Sequence, residues 1–196
     1  ADDHLPRLAA GNHAIAVEQP AHRSGRFRYA VGVPVAQGCQ RVDVGDGSTR
    51  GATTVLAHDY DDAWVELVPG TPALLADGRV VHAADRDGAR RLTIDDEPVT
   101  PVELQVRSVL ATTDDGVVFS ANPVDDATQV HVWRWDGTDL EPVADTPGVH
   151  TAVVGGPTIV VRTATIDAPG STTEARRSDH PSITIEDLHY SYDPRT

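Results

Sequence analysis

The sequence contains no methionine and no lysine, one cysteine, and only 5% aromatic residues. With Cys39 alone, an internal disulfide and any cysteine-built zinc cage are excluded. All sixteen basic residues are arginine, which we read as the bias of a GC-rich genome. The formal charge of −14 argues against nucleic acid, because a phosphate backbone selects a basic surface. No apolar run approaches the ~18 residues of a membrane helix, and the N-terminus lacks a signal-peptide pattern. A chain that opens on Ala1 without methionine is expected to be a processed product or part of something longer. One cysteine and no export signal favour the cytoplasm, with secretion as the alternative.

What is present is short β-rich runs every eight to twelve residues, bounded by Gly, Pro and Asp. Val80-Val81, Val117-Val118-Phe119 and Ile159-Val160-Val161 each begin just after a Gly or Pro. Further strands follow at Arg90 to Ile94, at Val130 to Trp133, and more weakly at Thr172-Thr173. Asp95-Asp96 and Asp136-Gly137 lie where hairpins turn, since such residues tolerate left-handed backbone. Val55, Val99 and Val143 sit in matching contexts 44 residues apart, twice. A period of ~40–50 residues with four short strands predicts β-propeller blades, each hiding its sheet face on a neighbour. The expected fold is therefore all-β, with about four four-stranded antiparallel blades.

Several stretches invite a chemical reading. "DYDDAWVELVPG" at 59–70 could be a metal site, a substrate-facing patch, or the edge of a repeated unit. The doublets Asp61-Asp62, Asp95-Asp96, Asp114-Asp115 and Asp125-Asp126 lack the calcium-loop pattern and are expected at turns. Ser178-Asp179-His180 holds the three triad residue types, but adjacent residues cannot converge in the triad's hydrogen-bonded order. Gly45 to Gly51 lacks the lysine of a phosphate loop and is expected to join two strands. His82, His131 and His150 are expected to be hydrogen-bonded strand residues rather than metal ligands. Trp133 and Trp135 share a face by alternation, which predicts a contact between neighbouring blades.

Residues 62 to about 167 resemble the β-propeller of the dipeptidyl peptidase IV family, in its bacterial branch. The likeness is carried by "DDAWVELVPGTPALLADGRVVHAADRDGARRLT" at 61–93, "VHVWRWDG" at 130–137 and "PGVHTAVVGGPTIVVRTATIDAPG" at 147–170. Upstream, "RVDVGDGSTRGATTVL" at 41–56 is similar to that family's strand-turn-strand segment, with extra turn residues. The resemblance implies a serine exopeptidase with an eight-bladed propeller ahead of an α/β-hydrolase domain. It further implies a propeller that walls the cavity and holds the substrate's N-terminal ammonium with paired glutamates.

This sequence has neither the G-x-S-x-G elbow nor a Glu-Glu dipeptide, so no catalytic residue is assigned. The expectation is the second half of such a propeller, inactive by itself, over residues 1–170. Residues 171–196 are expected to be the last strand or strands, or a linker toward the hydrolase domain. The resemblance implies that the loop just after the tryptophan matching Trp64 leans into the cavity, so Glu66 and Val68 are the candidate substrate contacts. The expected partners are a peptide substrate, an α/β-hydrolase domain of the same parent chain and, through uncovered sheets, further copies of itself. No cofactor, metal, nucleic acid or membrane partner is expected. The competing reading is a free-standing small propeller that binds a protein or peptide.

Overall fold

The computed structural model describes the backbone of residues 15–19, 28–36, 39–45, 54–60, 65–114, 116–177 and 180–185. It describes the side chains of 41–44, 54–60, 65–114, 116–177 and 182–185. The fold is all-β. Among the described residues, sixteen strands form four antiparallel sheets, each taking four strands in chain order. The first sheet holds β1 (Ile15–Gln19), β2 (Arg28–Ala36), β3 (Cys39–Gly45) and β4 (Thr54–Tyr60). The second holds β5 (Ala73–Leu74), β6 (Val80–Arg86), β7 (Ala89–Ile94) and β8 (Glu97–Pro98). The third holds β9 (Leu104–Thr112), β10 (Val117–Pro123), β11 (His131–Trp135) and β12 (Leu140–Ala144). The fourth holds β13 (Val149–Gly155), β14 (Thr158–Ala164), β15 (Thr172–Arg177) and β16 (His180–Ile185). Beyond residue 170, β15 and β16 complete the fourth sheet.

Turn chemistry fixes the register. Asp87 and Gly88 have φ of 55° and 81°, and Asp95 and Asp96 have 50° and 72°. Two central residues at positive φ make type I′ turns, whose twist suits two-residue hairpins. Arg86 accordingly pairs with Ala89, and Ile94 with Glu97. At the third sheet's last hairpin, the Asp136 carboxylate accepts the backbone N–H groups of Thr138 and Asp139 at 2.9 and 2.7 Å. The 44-residue repeat marks the fourth strand of its sheet: Val55 lies in β4, Val99 follows β8, and Val143 lies in β12. The fourth strands β8, β12 and β16 carry Pro98, Pro142 and Pro181, which cannot donate to a further strand, and β4 carries none.

The sheets stack face to face in chain order. In the second strands of the second and third sheets the first residue of the apolar pair faces back and the second faces forward. Val80 packs with Val42 and Ala57 of the first sheet. Val81 of the second sheet and Val117 of the third share one core with Leu92, Phe119 and Trp135. Val118 packs with Val161 of the fourth sheet, and Ile159 lies against them. Trp133 and Trp135 both join the seam between second and third sheets, as alternation predicts, with the Arg79 guanidinium 5.3 Å from the Trp135 ring centre. Each large side chain fully buried this way contributes about 1.5–3 kcal/mol. First strands also lie together: β1 beside β5, and β9 beside β13. Among the described residues, no core cluster joins the fourth sheet to the first.

Candidate functional site

Glu66 and Val68 diverge in the structure. Val68 is buried at 3% exposure within the core between the second and third sheets, which leaves it no surface for a ligand. Glu66 is exposed, and its carboxylate lies 3.0 Å from the Arg90 guanidinium at the start of β7. Arg90 also lies 3.5 Å from Asp85, its partner across the β6–β7 hairpin. Glu66, Asp85 and Arg90 form a ridge shared by two clefts.

The smaller cleft, about 150 Å³, follows the seam between first and second sheets and is also lined by Asp59, Tyr60 and Arg86. The larger, about 420 Å³, opens between second and third sheets beside Gln105, Arg107 and Asn122. Its polar wall is tied together. The Gln105 side-chain carbonyl accepts the Arg90 N–H at 2.9 Å, and Arg107 donates to Asn122 at 2.9 Å. Asn122 in turn donates to the Ala127 carbonyl at 3.1 Å and to that of Gln129. Among the described residues, neither cleft is lined by serine, threonine, cysteine or histidine. Carboxylates, guanidinium groups and amides at fixed spacing can bind polar and charged groups of a ligand.

An ionic network lies deeper in the seam between first and second sheets. Arg86 bridges Asp59 on β4 at 2.6 Å and Asp96 in the β7–β8 turn at 3.0 Å. His82 is fully buried beside it, with Nε2 3.6 Å from Asp96 and 3.9 Å from Asp59. Its Nδ1 lies 2.6 Å from Oγ1 of Thr93, its cross-strand partner. His150 repeats the device in the fourth sheet, with Nδ1 2.9 Å from Thr163, and His131 reaches Gln129 at 3.1 Å. All three histidines are thus hydrogen-bonded strand residues.

Burial holds the His82 pKa below its ordinary value. The nearby Asp59 and Asp96 carboxylates oppose that shift and Arg86 reinforces it. Below about pH 6.5 the unfolded chain therefore binds a proton that the folded chain resists. Stability falls as pH drops from 6.5 toward the lower folded value, and it is level above. Asp126 and Asp136, held low by their turn hydrogen bonds, titrate further down and leave this window clear. Urea unfolding at pH 7 and pH 5 should show a larger loss for the wild type than for His82→Gln. Equal losses would remove His82 as the cause.

The described acid doublets serve turns: Asp95-Asp96 forms a type I′ turn, and Asp126 caps the backbone of Thr128 at 3.0 Å. Trp64, Asp61-Asp62, Asp115, Ser178-Asp179 and Gly45 to Gly51 fall wholly or partly outside the described side chains. Among the described residues, no three His, Cys, Asp or Glu are placed to hold a metal ion, and no helix is long and apolar enough to cross a membrane. Asp85 and Arg90 could have been found from sequence, because the Asp-Gly turn between them sets their pairing. Arg107 and Asn122 carried no such signal, since their place beside Glu66 depends on how two sheets stack. Comparison with protein-family models and with curated proteins finds no match for this chain.

Proposed function

We propose that these sheets are consecutive blades of a β-propeller from a serine exopeptidase of the dipeptidyl-peptidase-IV type. In that reading the segment gates and positions peptide substrates for a hydrolase domain carried elsewhere in the parent, and does not hydrolyse them itself. The observation that carries it is the stacking of four four-stranded meanders in chain order, with first strands together at two of the three seams. A ring built this way gathers first strands around an axis and turns cleft walls toward it. The ridge of Glu66, Asp85 and Arg90 then offers charge of both signs to a peptide. A cytoplasmic setting belongs to the same proposal.

A Gly-Pro substrate bearing a chromophore on its carboxyl side tests it. The full-length parent should release the chromophore, and residues 1–196 alone should not. Turnover by residues 1–196, or a parent that leaves the substrate intact, would overturn the assignment. In the latter case the clefts point instead to a module that binds a peptide or protein.

A further inference from the structure

We propose that the larger cleft, between the second and third sheets, binds a carboxylate such as the free C-terminus of a short peptide, through Arg107 and Gln105. The argument rests on the hydrogen bonds of this cleft and does not depend on the peptidase reading. Arg79, Arg86, Arg90 and Arg91 each hold a carboxylate at 3.0 Å or less. Among the described residues Arg107 meets no carboxylate, and its guanidinium donates to Oδ1 of Asn122 instead. That oxygen is fixed in place, because Asn122 is 6% exposed and gives its amide hydrogens to the Ala127 and Gln129 carbonyls. The guanidinium is thus anchored through one N–H and keeps its other donors for a ligand.

The backbone sets Arg107 apart as well. Val106 pairs with Ala121 and Ser108 with Ser120, so Arg107 is an extra residue in β9 without a partner on β10. A bulge of this kind bends the strand and redirects the side chain it carries. It lets Val106 and Val109, three apart, both join the core, while Arg107 is exposed in the cleft wall. Gln105 is oriented by its own bond. Its Oε1 accepts the Arg90 N–H, which leaves its Nε2 hydrogens as donors with no partner among the described residues.

Two oriented donor groups, one of them charged, match the two oxygens of a carboxylate. Glu66 and Asp85 line the same cleft and share the single charge of Arg90. Their surplus negative charge penalises a dianion, which selects a carboxylate over a phosphate. The volume of about 420 Å³ lies within the ~300–1,000 Å³ of small-ligand clefts.

N-acetyl-alanyl-alanine and its C-terminal amide, titrated into isotope-labelled chain at pH 7 and followed by NMR, test the proposal. The acid should shift the Arg107 Nε–H and the Gln105 side-chain amide saturably, and should bind about tenfold or more tightly than the amide. Arg107→Gln, at an exposed site, should abolish that preference while urea unfolding is unchanged. Arg162 donates to Ser171 away from the cleft, so Arg162→Gln controls for net charge and should leave binding as it was. Equal binding of acid and amide to the wild type, a preference that survives Arg107→Gln, equal losses in both variants, or tighter binding of inorganic phosphate than of the acid would overturn the proposal. The peptidase assay is read on turnover by the parent, so failure here leaves that reading standing.

Discussion

Phe119→Ala is expected to destabilise the fold by about 3–5 kcal/mol, the range for removing a buried aromatic from a packed core. Phe119 is completely buried in β10, opposite Val109 on one side and Trp133 on the other. It joins a cluster that takes Val81, Leu92 and Ile94 from the second sheet and Val106, Val117 and Trp135 from the third. The ring therefore belongs to the seam between two sheets as much as to its own strand. Sheets on both sides are fixed by backbone ladders, so the void can close only in part. At about 2–4 °C per kcal/mol for a chain of this size, the midpoint of thermal unfolding should fall by roughly 10 °C. A change below about 1 kcal/mol in urea unfolding would mean that this seam is not packed as described.

Gly70→Ala should cost about 3 kcal/mol by a different route. Gly70 closes the "VPG" stretch with φ of 81°, where an alanine side chain is strained by about 1–2 kcal/mol. A Cβ built there would lie 2.1 Å from the Val109 carbonyl oxygen, a backbone atom that cannot swing aside. Relief requires the turn to withdraw from β9, which strains the 2.9 Å hydrogen bond from the Val109 N–H to the Pro69 carbonyl. That loss and the local repacking add about 1–3 kcal/mol. Gly88 is the control, because its φ is also 81° but nothing lies within 4 Å of a Cβ there. Gly88→Ala should therefore show the backbone cost alone. Equal losses in the two variants, measured by urea unfolding, would rule out the close approach at Gly70.

The strands legible in sequence are those that combine an apolar pair with a turn residue just ahead. Val80-Val81, Val117-Val118 and Ile159-Val160 found the second strands, and Asp95-Asp96 marked a turn that the backbone makes. The first strands were harder for physical reasons. β5 is only two residues long, and β9 shifts register twice against β10, which breaks the alternation a reader relies on. The 44-residue spacing located the outer strands, yet Val55 stands exposed where Val99 and Val143 are partly buried. A register shift between Val42 and Asp43 accompanies that difference. At the site, position after Trp64 pointed to Glu66 and Val68 together, but burial separates them. Val68 closes the core, and Glu66 meets Arg90 through the β6–β7 hairpin.

The meander order also bears on how the chain reaches its fold. Among the described residues, every strand pairs with its neighbour in sequence, and every seam joins consecutive sheets. No pairing has to wait for a distant segment, so loop closure costs little at each step. During synthesis the sheets can form one at a time from the N-terminus, each finished sheet offering a template for the next. Until its successor arrives, the newest sheet holds a bare valine face toward solvent. The most hazardous moment for aggregation is therefore set by the pace of translation between one sheet and the next.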